Sequence, residues 1–393
     1  MERSENGTMV PVGAGIVTAL VGYTSAFAVV LAGLRGVGAS PGQAASGLLA
    51  VTVTMGAASA LLSWRYRMPI ISAWSTPGAA LLATTGAVAG GWPAAVGAFI
   101  VCGVLFVVTG LWPALARWVQ RIPAPIAQAM LAGVLLPLCI APVKALAAHP
   151  AAVAPVLLVW LVLLKVRPRW AVPLAFVVAL VVIGIALVRD DAVPAFSALV
   201  PHVEWTTPAW TLQAMTGVLL PLYIVTMASQ NIPGAAVLAT YGYTVPWRPA
   251  LTVTGVLSAV GAPFGGHAIN LAAISAALAA GPDAGPAPRR WIAGVSSGAA
   301  NLVLGVVSTG LTAIVLAAPA GVIQAVAGVA LVGAFAAACA GAMADVEARV
   351  PAAVTFVVAA SGTTVVGIGS AFWALVVGIV VYLLLGVRRS APA

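Results

Sequence analysis

Pro263-Phe264-Gly265-Gly266-His267-Ala268-Ile269-Asn270 and Pro69-Ile70-Ile71-Ser72-Ala73-Trp74-Ser75-Thr76 are the two stretches on which the fold turns. Each opens with a proline, passes through six residues and reaches a polar residue suited to capping a helix. An apolar run follows each one, opened by Pro77-Gly78 in the first and by Leu271 in the second. Pro77 fits the first helical position with Thr76 as its cap, and Asn270 is placed to cap the second helix in the same way. From those caps, helices of about ten to twelve residues cover roughly 15 to 18 Å, half of a bilayer. The residues before the caps read as extended chain, because Ile70 and Ile71 are β-branched and Gly265-Gly266 weakens a helix. A plainer reading of Gly265-Gly266 is a close helix contact or a kink; the matched spacing in the two stretches favours extended chain. Irregular backbone at membrane depth survives only where protein or water satisfies its polar groups, so both stretches are expected to line a cavity. Two helix N-termini at one cavity create positive partial charge, which favours a carboxylate.

The rest of the chain agrees with a membrane setting. Of 393 residues, 62% are hydrophobic and 6% charged, too few charges to cover a soluble surface. After a short polar segment, Met1 to Val10, an apolar run over about residues 12–34 is too long for the core of a signal peptide and reads as a retained span. The net charge of +9 is scattered as singles and pairs between apolar runs, which argues against nucleic acid. Cys102, Cys139 and Cys339 sit in apolar runs without metal-like spacing and read as small buried hydrophobes. No disulfide, metal or cofactor is implied.

Breaking the sequence at charges, prolines and polar clusters predicts an all-α polytopic membrane protein of about fourteen segments. Their approximate bounds are 12–34, 43–63, 69–88, 93–115, 123–143, 151–166, 169–188, 211–240, 247–262, 263–281, 291–317, 319–340, 350–367 and 370–387. An even count puts both termini on one side. That side then holds Arg65, Arg67, Arg117, Arg121, Lys165, Arg167, Arg169, Arg248, Arg289, Arg290 and Arg349, with Arg3, Arg388 and Arg389 in the tails. Only Arg35, Lys144 and Arg189 fall opposite, so the positive-inside rule makes the termini cytoplasmic. The longest connection, about 189–210, separates residues 1–188 from 211–393 as two sets of seven segments. Seven is odd, so the second set enters the membrane in the opposite sense, the topology of an inverted repeat.

Side chains within the segments point to a solute site. All eight acidic residues fall in tails or connections, which suits an anionic solute and argues against a cation site built from carboxylates. His267 is the sole histidine inside a segment, so it is the candidate if a side chain carries a coupling proton; a neutral histidine held by backbone is its other role. Thr226-Met227-Ala228-Ser229-Gln230-Asn231-Ile232-Pro233-Gly234 interrupts the eighth segment with polar groups. Gln230 and Asn231 should face protein, water or solute rather than lipid, with interhelical hydrogen bonding as the alternative use of the amides, and Pro233 frees a carbonyl one turn earlier, about Ser229, as a further polar group. Tyr23 and Phe27 in the first segment offer a phenol and a ring face. Asn301 and Gln324 read as amides that join helices.

Ser229-Gln230-Asn231-Ile232-Pro233-Gly234 and Phe264-Gly265-Gly266-His267-Ala268-Ile269-Asn270 resemble the signatures of the benzoate/proton symporter (BenE-like) family, and the similarity in length and motif order runs over nearly the whole chain. The resemblance implies benzoate uptake with a proton in the bacterial inner membrane. That family is in turn similar to the nucleobase transporters and the sulfate-type anion exchangers. The wider resemblance implies a seven-plus-seven inverted repeat, with a core domain from segments 1–4 and 8–11 and a gate domain from 5–7 and 12–14. An elevator-like movement of the core past the gate is implied too, and a homodimer is compatible with it. Nucleobase transporters use glutamates in segments eight and ten, whereas this chain has Ser229, Gln230, Asn231 and His267 there, so a uracil-like substrate is not expected.

The resulting expectation is a carboxylate held by the two helix N-termini, with Ser75, Thr76, Ser229, Gln230, Asn231, Gly266 and Asn270 around it. The ring lies near Tyr23, and His267 takes up the proton. An uncoupled carrier or a channel for another small anion is the rival reading, and a channel predicts flux that does not saturate. A membrane enzyme is disfavoured, because intramembrane catalysis ordinarily needs an acid, a metal cluster or a nucleophile pair.

Overall fold

The apolar runs fold as helices from the first described residue onward. The structure, a computed structural model, describes residues 6–112, 114–115, 121–273, 275–366 and 368–386. Helix α1 (Asn6–Gly36) leads to α2 (Pro41–Tyr66), then strand β1 (Ser72–Trp74), α3 (Thr76–Thr85) and α4 (Gly91–Leu111). Three further helices follow, α5 (Ala124–Ala148), α6 (Pro150–Val166) and α7 (Pro168–Arg189). The second half contains a broken helix α8 (Leu212–Thr240), α9 (Trp247–Gly261), strand β2 (Ile269–Leu271) and α10 (Ala276–Ala280). It ends with α11 (Trp291–Leu316), α12 (Val322–Met343), α13 (Arg349–Ala360) and α14 (Ser370–Leu384).

Local sequence explains where these helices begin. Ser40 and Gln43 form a capping box on α2, and prolines occupy the first turn of α2, α3, α5, α6 and α7, where a missing N–H costs nothing. Among the described residues, eight helices are long and apolar enough to cross a membrane, and α6, α13 and α14 are shorter apolar helices. Each of α1 to α14 overlaps one of the expected stretches, although α10 within 263–281 has only five residues. Large apolar side chains such as Leu161, Val181, Ile185, Val303 and Val380 are exposed on outward faces, as lipid contact requires. The acidic residues of the described chain all lie outside these helices. Glu2, Glu5, Arg3, Arg117, Arg388 and Arg389 lie outside the described residues.

Packing falls into two sets. The closest partners are α2 with α11, α4 with α9, and α1 with α3 and α11 in one; α5 with α12 and α13, α6 with α7, and α13 with α14 in the other. The pairs α2–α11 and α9–α4 exchange under a swap of the two halves, as do α6–α7 and α13–α14. The same relation holds at the centre, where β1 and β2 pair antiparallel with Ala73 opposite Asn270. Ser75 N–H donates to Ala268 O and Ala272 N–H to Ile71 O, each at 2.9 Å, so the ladder runs past both strand ends.

The outer edges of this ribbon are satisfied by helices. On α2, Ser59 Oγ accepts from Ser72 N–H at 2.8 Å, and Ser63 donates to Ile70 O at 2.9 Å. On α9, Ser258 Oγ accepts from Ile269 N–H at 3.0 Å. Serines from matching helices of the two halves thus close a strand edge that would otherwise be unpaired in an apolar interior.

Two expectations about the caps are corrected. Ser75, not Thr76, is the N-cap of α3: its hydroxyl accepts from Gly78 N–H, and Thr76 is already helical with Pro77 in the first turn. Asn270 caps no helix. It is part of β2, its side-chain amide donates to Leu271 O at 2.7 Å, and the next helix begins only at Ala276 and lasts five residues. Pairing with β1 holds the backbone extended past the position where a cap would act.

Candidate functional site

The β1–β2 ribbon divides the predicted residues between two faces. On the α8 face, the Ser75 and Thr226 hydroxyls share a hydrogen bond of 2.7 Å, which ties the start of α3 to α8. Asn231 Oδ1 accepts from Leu271 N–H at 3.0 Å, and its amide nitrogen reaches Met227 Sδ at 3.3 Å. Asn231 is thereby engaged in holding β2. It can do so because Met227–Asn231 is a π-turn, which widens α8 and turns its polar residues toward the ribbon. Ser229 donates back to Val225 O at 2.5 Å, and both Ser229 and Gln230 are half-buried.

His267 is fully packed on the same face. Its Nε2 donates to Ser75 O at 3.3 Å, Phe99 meets its ring edge-on, and Nδ1 is buried without a partner. Gly265 adopts φ +93°, and Gly266 passes close to Gly261 O and Val51 N on neighbouring backbone. Asn270 Oδ1 is likewise buried and unpartnered. Ser75, Thr226, Asn231, Gly266, His267 and Asn270 thus gather at the ribbon and its approaches. Thr76 is half-buried beside them on α3.

The opposite face carries a cluster that sequence reasoning only half found. Tyr23 is 2% exposed and packs against Phe27 and Trp74, with ring centroids 5.5 and 5.3 Å away. Around it the Ser72, Ser297 and Asn301 side chains each bury an oxygen with no hydrogen bond. The Tyr23 hydroxyl makes no hydrogen bond of ordinary geometry, with Ser308 beside it. These four residues line one cavity of about 20 Å³, room for about one water, together with Thr18, Gly22, Trp74 and Ser275. An orphaned polar atom of this kind costs about 1–3 kcal/mol unless a bound group supplies its partner.

Asn301 was expected to join helices and instead faces this cavity. Ser72 lay in a stretch expected to line a cavity but was not singled out, and Ser297 carried no signal, because a single serine in an apolar helix is common and only the crossing of α1, α11 and β1 aligns them. Gln324 is exposed on α12. The arrangement suits recognition of a small solute by neutral hydrogen-bonding groups beside aromatic rings. Among the described residues no group of three or more His, Cys, Asp or Glu side chains is poised to hold a metal.

Comparison with known proteins agrees with this fold. The chain is 37% identical to the inner membrane protein YdcO of Escherichia coli over 374 residues, covering 95% of each. It is 30% identical over 378 residues to the benzoate membrane transport protein of Acinetobacter baylyi, covering 95% of this chain and 94% of that one. Among solved structures, the transmembrane domain of the cyanobacterial bicarbonate transporter BicA superposes with a TM-score of 0.60 at 16% identity, covering 96% of both chains. The murine Solute Carrier 26 family member A9 anion transporter superposes with a TM-score of 0.64 at 12% identity, over 96% of this chain and 68% of that one. At such identities the likeness is one of fold. The model of the BenE family, benzoate membrane transport protein, matches residues 6–384, and the chain belongs to that family of membrane transporters.

Proposed function

We propose that this protein imports benzoate, or a closely similar aromatic carboxylate, across the bacterial inner membrane together with a proton. The observation that carries the reading is the ribbon itself: two extended stretches pair in the protein interior, ringed by orphaned neutral polar atoms, and among the described residues the acids all lie outside the helices that pack against it. An anion is stabilised by hydroxyl, amide and backbone N–H donors and repelled by acids. Tyr23, Phe27 and Trp74 supply ring faces for an aromatic body.

In this proposal the carboxylate approaches the start of α3, where Ser75 and Thr76 lie, and the peptide from Gly266 to Asn270. Tyr23, Ser229 and Gln230 border the bound molecule, and Asn231 contributes through its grip on β2. His267 receives the coupling proton on its unpartnered Nδ1. The cavity is far smaller than the several hundred Å³ that ligand pockets occupy, so loading requires the site to open. We assign α1–α4 with α8–α11 to a core domain and α5–α7 with α12–α14 to a gate domain, in keeping with the two packing sets. All fourteen segments cross the membrane in this proposal, both termini are cytoplasmic, and the core moves past the gate.

The test is uptake of labelled benzoate by purified protein in liposomes, with and without an inward proton gradient. Accumulation that requires the gradient is expected. Saturable uptake indifferent to the gradient leaves an uncoupled carrier, and flux that does not saturate leaves a channel.

A further inference from the structure

A second cavity lies directly beyond the first. It has a volume of about 480 Å³ and is lined by Ala14 and Val17 of α1, Arg169 and Trp170 of α7, Tyr241 at the end of α8, and the Ala277–Asp283 turn of α10. The two cavities draw on the same elements: α1 contributes Ala14 and Val17 to the large one and Thr18, Ala19, Gly22 and Tyr23 to the small one. Ser275 lines the small cavity and Ala277 and Leu278 the large one. Four residues along α1 amount to one helical turn, about 6 Å. The large cavity is thus a chamber standing over the orphaned polar cluster, between α7 on one side and α1, α8 and α10 on the other.

Arg290, nearby in sequence to the α10 turn, is already committed, donating to Gly285 O at 2.7 Å and Ala280 O at 2.8 Å. Arg67 stacks over Trp291 at 4.1 Å. Arg169 has neither kind of partner: it is exposed and lines the chamber. Trp170, Tyr241 and the carboxylate of Asp283 line the same space, and no ion pair joins Asp283 to Arg169. A free guanidinium with two aromatic side chains matches a planar carboxylate attached to a ring, since arginine offers paired donors and the rings offer a flat apolar wall.

Building on the transport reading above, we propose that this chamber is the port on the arginine-rich side of the membrane and that Arg169 anchors the carboxylate of the aromatic anion there. Trp170 and Tyr241 bracket the ring, one helical turn from the buried site. The test places a cysteine at Leu278 in a protein whose Cys102, Cys139 and Cys339 have been replaced, and follows its modification by a membrane-impermeant thiol reagent. Benzoate is expected to slow modification at least fivefold, cyclohexanecarboxylate less, and neither in an added Arg169→Gln change. Arg169→Lys should restore part of the protection.

Protection that is absent, or equal with and without Arg169→Gln, overturns the proposal. A modification rate set by the anionic lipid content of the vesicles and not by benzoate assigns the chamber to lipid headgroups and overturns it too. Protection by benzoate in a protein that does not transport it leaves the port standing and removes the transport reading. Transport without protection does the reverse.

Discussion

Replacing Gly265 by alanine should unseat the ribbon. Gly265 has φ +93°, where a side chain is strained by about 1–2 kcal/mol. A Cβ there would lie 2.9 Å from Gly47 Cα, 3.0 Å from Gln43 O and 3.1 Å from Gly47 N, all backbone of α2 that cannot swing aside. Overpacking of this kind adds about 1–3 kcal/mol. The combined cost of roughly 2–5 kcal/mol corresponds to about a 30-fold to several-thousand-fold shift away from the native loop position, at about 1.4 kcal/mol per factor of ten. The neighbouring Gly266→Ala is the control. Its Cβ would meet Gly261 O at 3.1 Å and Val51 N at 3.3 Å from an ordinary backbone conformation, so its cost should stay below about 1.5 kcal/mol. Hydrogen exchange of the Ile269, Leu271 and Ala272 amides in purified protein reads the effect directly, because each donates one hydrogen bond that depends on the loop. Fast exchange in Gly265→Ala and near-native exchange in Gly266→Ala is the expected result. Native protection in Gly265→Ala, or equal loss in both, refutes the reasoning.

Asn231→Ala should lower thermal stability by about 1–3 kcal/mol, since it strands the Leu271 amide, while Asn231→Asp keeps an acceptor and loses less; equal melting of both variants would remove the positioning role. Ser297→Ala deletes a hydroxyl that has no partner, so stability should change by less than about 0.5 kcal/mol while the KM for benzoate rises. An unchanged KM would separate the cavity from the substrate. His267→Gln can still donate to Ser75 O but cannot accept a coupling proton; proton-driven accumulation should disappear with binding retained, and normal accumulation excludes this histidine from coupling.

Much of the architecture was legible because membrane helices advertise themselves by length and composition, and because prolines and charges punctuate them. The paired extended stretches were legible for a local reason: Ile70-Ile71 and Gly265-Gly266 both disfavour helix. The cap at Asn270 was misread since the deciding partner is β1, almost two hundred residues away in sequence, and no local rule reports it. Ser59 and Ser258 were invisible for the same reason: each matters only because the other half of the chain delivers a strand edge to it. Arg169 was counted for its charge, and its role as a chamber wall depends on α7 packing near α1 and α10. The family resemblance carried information that the residues alone did not, namely benzoate as the solute to propose.

The two π-turns in α8, Met215–Leu219 and Met227–Asn231, each fit one more residue into a turn than an α-helix holds. Each one is therefore the footprint of a single-residue insertion. Removing Ala228 would let this turn close as ordinary α-helix, with only Pro233 lacking its donor, yet everything on one side of the deletion would rotate by about 100° relative to the other. Asn231 would then leave Leu271, and Thr226 could no longer face Ser75 while Pro233 kept its place. The helix thus holds its grip on the ribbon through a surplus residue, and a change that makes it more regular would make it let go.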